Sequence, residues 1–263
     1  MARGSALRFV RADPEPDAPL FFDDFPGSSV DAAKWDVVER ISDQVNGEVN
    51  CCLAANVSVA GGLLSGVSTF EDHSCGDSEQ GAVTEHYTSW HIQQKTTPFL
   101  YGTVEVRAKI PGGTGIWPCI WMLGFEWQAS QPFTANTPGH NWPHAGWCEV
   151  DIAEFMSGSR TTVNNQVHFE SANVGPGIQT MPFNATSRFM VYRLQWAAGS
   201  MIWSVDPEDG GGFQTLSSLS GASVPNVAMY LILNAAIGGI GGGTPDSSTF
   251  PQTFQVDYVR VTQ

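Results

Sequence analysis

Ten residues constrain this chain more than any others: Trp147-Cys148-Glu149-Val150-Asp151-Ile152-Ala153-Glu154-Phe155-Met156. Three carboxylates stand among residues that favour a sheet. Side chains in a strand alternate between faces, so Glu149 and Asp151 share one face while Val150 and Ile152 take the other. Strict alternation would turn Glu154 onto the apolar face, where an unpaired charge is costly. One extra residue at Ile152-Ala153, a β-bulge, returns Glu154 to the side of Glu149 and Asp151. The sequence therefore predicts a bulged strand carrying three acids on one face.

That spacing has a chemical meaning. With the bulge, the Cα atoms of Glu149 and Glu154 stand on the order of 13 Å apart. Two Glu side chains leaning together across a curved strand can close this to the roughly 5–5.5 Å carboxyl separation of a retaining glycosidase. The competing account is an acidic edge strand, solvated or holding calcium. The apolar partners Val150, Ile152 and Phe155 favour an interior strand instead.

The 263 residues include Gly 28 and Pro 16, with 42% hydrophobic content and few long helical patterns. Such a composition suits many strands and turns around one large core. Lys and Arg number 12 against 26 acids, for a net charge of -14. This excludes the Lys- and Arg-rich phosphate contacts that nucleic acid requires, and a neutral glycan suits it better than a sulfated one. No apolar run reaches about 18 residues, so no helix spans a membrane. The first residues show no charged-then-apolar leader. Residues 1–19 carry Pro14, Pro16 and Pro19 without periodicity and read as a flexible extension, leaving 20–263 as a single domain.

Tyr101 to Ile110 alternates with Val104, Val106, Ala108 and Ile110 inward. Trp117, Cys119 and Trp121 fall on one face of the next strand, and indole faces stack well on the C–H faces of sugars. Trp142 and Trp147, just upstream of the acidic strand, are further candidates for such contacts. The segment Phe125 to Gly146 reads as a loop walling a cleft. Asn56 to Leu64 reads as a hairpin, as do Tyr192–Trp196 and Met201–Val205, with Trp196 and Trp203 structural. Trp35 reads as core. Gly238 to Gly243 lacks the Lys of a phosphate loop and reads as a mobile loop. In Gln166-Val167-His168-Phe169-Glu170, His168 lies opposite its apolar neighbours. Five cysteines, at 51, 52, 75, 119 and 148, have no zinc spacing, and either Cys51 or Cys52 could pair with Cys75.

Glu149-Val150-Asp151-Ile152-Ala153-Glu154 resembles the signature of glycoside hydrolase family 16 in its bulged Glu-x-Asp-x-x-Glu form, shared by laminarinases, agarases and carrageenases. Tyr101 to Pro111, Gly115 to Met122, Tyr230 to Asn234 and Val256 to Val261 match in order and spacing, so the similarity runs from about Leu20 to Gln263. The resemblance implies an all-β fold: an antiparallel two-sheet β-sandwich of jelly-roll, concanavalin-like type with an open concave cleft. It implies a secreted, monomeric retaining endo-glycosidase of neutral β-1,3-glucan, laminarin-like or mixed β-1,3-1,4. Glu149 would be the nucleophile, Glu154 the acid/base and Asp151 their helper, with no cofactor needed for catalysis. Another neutral glycan such as agarose, transglycosylation, or a non-catalytic glycan-binding module are the alternatives.

The resemblance also places Asn46 and Glu48, within Asn46-Gly47-Glu48-Val49-Asn50, beside the non-reducing side of the glycan, although Asn-Gly is equally an ordinary turn. His168 matches a family histidine near the acid/base. Ser89-Trp90-His91-Ile92 departs from the usual Ser-Gly-Arg-Ile, so Trp90 and His91 would reshape the substrate-binding side. A structural calcium is implied on the sheet away from the cleft, with Asp257 as its side-chain ligand beside backbone oxygens near Asp23 and Gly61.

Cys119 and Cys148 are expected on neighbouring strands but on opposite faces, Cys119 with Trp117 and Trp121 and Cys148 with Val150. Their Cβ vectors diverge too far for the roughly 3.5–4.5 Å that a disulfide needs. Mass spectrometry of unreduced, alkylated protein should find both as free thiols. A cross-linked 119–148 peptide would refute the strand register itself.

Overall fold

The computed structural model describes residues 18–41, 46–76, 82–124, 148–156, 158–169 and 172–263. Two antiparallel sheets lie face to face, as expected of a jelly-roll sandwich. Among the described residues, the sheet that carries the acids runs β2 (Trp35–Val37), β7 (Val83–Gln94), β16 (Met229–Ile237), β9 (Ile116–Gly124), β10 (Cys148–Glu154), β11 (Thr162–Phe169) and β12 (Ala172–Thr180). The second sheet runs β5 (Val57–Ala60), β6 (Leu63–Cys75), β17 (Gln252–Thr262), β8 (Gly102–Lys109), β13 (Met190–Ala197), β14 (Ser200–Asp206) and β15 (Gln214–Ser220). Strand β1 (Phe21–Asp23) continues along β17 where β6 has left it. The short strand β4 (Asn50–Cys52) pairs with β7 in parallel, and β3 (Arg40–Ile41) pairs with β4 on its other side.

Alternation explains which side chains fill the sandwich. In β8, Val104, Val106 and Ala108 are fully buried against the other sheet, with Ile110 following. Glu105 breaks the pattern, being buried on the opposite face. It is directly in register with Arg193 on one neighbour and Arg260 on the other, and both guanidiniums bind its carboxylate. Paired on both sides, a buried carboxylate is tolerated. Trp35, Trp196 and Trp203 are core, as their sequence context implied.

Trp90 is a correction. Its indole has 0% exposure and sits in the sandwich core, edge-on to Phe254 and over Gly66 of the facing sheet. Its neighbour His91 takes the outer face by the same alternation. The Gly238–Gly243 segment is also not the irregular loop expected: Gly239–Gly242 forms one helical turn.

Cys51 pairs with Cys75, leaving Cys52, Cys119 and Cys148 free and buried. Cys148 lies in the sandwich core, whereas Cys119 clusters with Trp117, Trp121 and Ala236 on the outer face. The bond fastens the long β6–β7 hairpin to β4.

A Cβ on Gly66 would stand 2.0 Å from Trp90 Cε2. Gly66→Ala should therefore cost about 1–3 kcal/mol, the usual penalty of overpacking. Denaturant unfolding checks it, and a variant of wild-type stability would mean the indole does not occupy that seat.

Candidate active site

Strand β10 is held between β9 and β11, and its register with β9 locates the irregularity. Glu149 faces Leu123 and Asp151 faces Trp121, but Ala153 faces Ile120 and Glu154 faces Cys119. Between Asp151 and Ala153 the strand advances two residues while β9 advances one. Ile152 and Ala153 both enter the sandwich core. Glu154 thereby returns to the outer face with Glu149 and Asp151, as the hydrophobic pattern predicts. Two successive bulge carbonyls receive side-chain donors: Trp203 Nε1 donates to Asp151 O at 2.9 Å and Asn165 Nδ2 to Ile152 O at 2.8 Å.

Glu154 is nearly buried and held at both oxygens. Trp117 Nε1 donates to Oε1 at 2.8 Å and Asn164 Nδ2 to Oε2 at 2.5 Å. Burial first, and then the negative charge of Asp151, push its carboxyl up to about 7, while these two hydrogen bonds pull the other way. The position across from it is filled by the small thiol of Cys119. Its neighbours so poise Glu154 to exchange a proton near neutral pH.

The other two acids face a base. His168 Nε2 lies 3.1 Å from Asp151 Oδ2 and 4.0 Å from Glu149 Oε1. The Asp151 contact becomes an ion pair when the imidazole carries its second proton. His168 Nδ1–H donates to Asn173 Oδ1 at 2.7 Å, which fixes the ring. Burial lowers the His168 pKa, but Asp151, Asn173 and the charge of Glu154 together outweigh it and leave it raised. Among the described residues, Glu149, Asp151 and His168 form the one group of three metal-capable side chains, with ligand atoms within 4.8 Å of one another.

The remaining candidates divide by exposure. Trp121 is half-buried, with Nε1 donating to Asn234 Oδ1 at 2.8 Å, and packs between the Trp117–Cys119–Ala236 and Leu123–Tyr230–Ile232 clusters while keeping part of its surface exposed. Trp117 is only 7% exposed, because Gly241 lies on its indole: a Cβ there would stand 2.0 Å from Trp117 Cε2. Its contribution is the N–H given to Glu154 rather than an open stacking platform. His91 faces outward but is 1% exposed, and among the described residues neither ring nitrogen meets a partner in good hydrogen-bond geometry. Burial and the charge of Arg40 hold its pKa well down. Asn46 and Glu48 reach the site edge, Glu48 bridging to Gly238 and the Asn46 carbonyl abutting Gly239. Trp142 and Trp147 lie outside the described residues, as does the loop 125–146. Sequence reasoning missed Asn164, Asn173 and Asn234. Asn164 could have been found, because it shares the face of His168 four residues on.

Asp257 lies at a register shift of β17, on the second sheet. Its Oδ2 accepts from Arg107 Nη1 at 2.9 Å, and Arg107 also binds Glu208. The carboxylate of Asp23 is likewise engaged, by Trp35 Nε1, Phe25 N and Lys34. A dication there would share the Asp257 carboxylate with the Arg107 guanidinium, which holds Oδ2 and leaves Oδ1 for a metal.

Comparison with known proteins adds to this geometry. The family model for glycosyl hydrolases family 16 matches residues 71–260. The chain is 30% identical to a beta-glucanase of Rhodothermus marinus, over 98% of this chain and 89% of that protein. It is 29% identical to glucan endo-1,3-beta-glucosidase A1 of Niallia circulans over 92% of its own length, but spans only 37% of that relative. Among solved structures, LamAcat from Zobellia galactanivorans superposes with a TM-score of 0.78 at 29% identity, covering 94% of this chain and 98% of that one.

The raised Glu154 pKa has a signed consequence. Relative to an ordinary carboxyl it favours the protonated folded state, so its contribution to stability is complete below the usual carboxylate range and is lost as pH rises through about 7. The Trp117 bond favours the ionised form, so Trp117→Phe should raise the Glu154 pKa further. A carbon-13 titration of the Glu carboxyls reads this, and an unchanged or lowered value would contradict the assigned bond.

Proposed function

The chain belongs to glycosyl hydrolase family 16, and from that premise we propose that it is a retaining endo-glycosidase hydrolysing β-1,3-glucan. The observation that carries this reading is the bulge in β10, which sets Glu149, Asp151 and Glu154 on one face and leaves Glu154 near pKa 7. Retaining hydrolysis needs one carboxylate that is ionised and one that exchanges a proton near working pH.

In the first step a Glu149 oxygen attacks the anomeric carbon, and the bond from that carbon to the leaving oxygen breaks. Glu154 gives its proton to that oxygen. In the second step water attacks the same carbon, Glu154 takes the water's proton, and the ester to Glu149 breaks. Asp151 and His168 stand beside the nucleophile and orient it. Trp121 offers a sugar-stacking face, with Asn46 and Glu48 at the edge of the groove. The net charge of -14 suits a neutral polysaccharide, and the Cys51–Cys75 disulfide supports a secreted setting.

Glu149→Gln and Glu154→Gln should each lower hydrolysis of laminarin by about a thousandfold or more, with circular dichroism and glucan binding nearly unchanged. Early products should retain the β anomer by proton NMR. Inversion at that carbon, or a substrate panel in which agarose or lichenan is cleaved and laminarin is not, would overturn the mechanism or the substrate respectively.

A further inference from the structure

Trp203 of β14, on the opposite sheet, sends its indole N–H through the sandwich to the Asp151 carbonyl, while Asn165 of β11 gives its amide to the next carbonyl, Ile152. Both donors are fully buried. Asn165 is in turn held from the second sheet, because Ser217 Oγ of β15 donates to its Oδ1 at 3.0 Å. These contacts fall where the β10–β11 ladder lapses, between the Val150–Val167 pair and the Glu154–Asn164 pair. We propose that Trp203 and Asn165 are positioning residues that fix the β10 bulge from inside the sandwich and so set the separation of Glu149 from Glu154.

The reasoning is one of competing registers. A strand can lose a bulge by sliding one residue, and a slide of one exchanges its faces. In β10 that slide would carry Glu154 toward the core and leave Glu149 in place. The extra residue between Asp151 and Ala153 must therefore be more stable than the regular ladder, and the two interior donors act only on the bulged form. They bind carbonyls in the stretch of β10 that has no registered partner on β11. Neither residue touches the outer face, so their effect on chemistry runs through the backbone of β10. This inference rests on the reading of Glu149 and Glu154 given above.

The core supplies its own control. Trp196 of β13 is also buried, and its Nε1 donates to the Pro225 carbonyl at 3.1 Å, away from β10. Trp203→Phe and Trp196→Phe delete the same kind of bond from the same sandwich. Both should lower Tm to a similar degree. Only Trp203→Phe should lower kcat on laminarin, by about tenfold to a hundredfold, since a misplacement near 1 Å costs that much, with KM within about twofold. The alkaline limb of kcat/KM should also move up in pH, as Glu154 drifts from Trp117 and Asn164. Asn165→Leu should match it, and Ser217→Ala, at a half-buried position, should give a milder loss in the same direction. Should Trp203→Phe not fold, these two variants decide the matter against Trp196→Phe. Wild-type kcat in the folded variants, or an equal kcat loss in Trp196→Phe, would overturn the proposal. Glu149→Gln assayed alongside separates the two ideas: activity there defeats the reading of the site, whereas its loss beside an unaffected Trp203→Phe defeats only the positioning role.

Discussion

Everything distinctive about this molecule depends on one supernumerary residue in β10. A sheet with strict two-residue periodicity cannot present Glu149, Asp151 and Glu154 together while burying Val150, Ile152 and Phe155. The bulge resolves the conflict, and the surroundings are built to accept it. An unsatisfied buried carbonyl costs about 1–3 kcal/mol, so placing two of them in the interior would favour a regular strand. Side-chain donors to Asp151 and Ile152 remove that penalty. Phe155 N then reaches the Pro118 carbonyl just beyond Glu154, and the buried Arg160 caps the end of the strand through the carbonyls of Phe155, Ile116 and Pro111.

The same local arrangement divides three acids into different electrostatic environments. Glu154 lies deep, beneath an indole covered by Gly241, and its loss of solvation outweighs the weaker pull of the more distant His168. Asp151 and Glu149 share the His168 imidazole instead. Burial raises a carboxyl pKa, so Glu154 is biased toward its acid form. Cys119 contributes by being small: opposite Glu154, a larger side chain would occupy the space above the acids. Burial and the surrounding carboxylates keep its thiol protonated.

Much of this was legible in the sequence because strand parity is a local property. Alternation gave the core face of β8, the shared face of the three acids, the need for a bulge, and the separation of Cys119 from Cys148. Parity also implied that Trp90 and His91 must part, but not which of them faces inward. That choice is made by Gly66, some distance away in sequence and on the other sheet, whose missing side chain leaves room for the indole. Trp117 shows the same limit. Its position in the strand suits a sugar platform, and only the fold reveals that Gly241 covers it. The choice between Cys51 and Cys52 as partner of Cys75 is likewise one of facing, and neighbours in a strand differ in nothing else that local sequence records. Glu105, an acid at an otherwise regular position, is explained by arginines that lie far from it in sequence and beside it in space.

Strand order carries a consequence for biosynthesis. β17 follows every other strand of the domain in sequence, yet it lies inside its sheet, between β8 on one side and β6 with β1 on the other. While a ribosome is still making the preceding residues, β8 and β6 have a vacant lane between them and nothing to hold them at the right spacing. The second sheet can close only after β17 has emerged, which makes folding of the domain a late, collective event with long loops to shut. Until then the facing edges of β6 and β8 stay unpaired, and they are the surfaces that an incomplete domain offers to other chains.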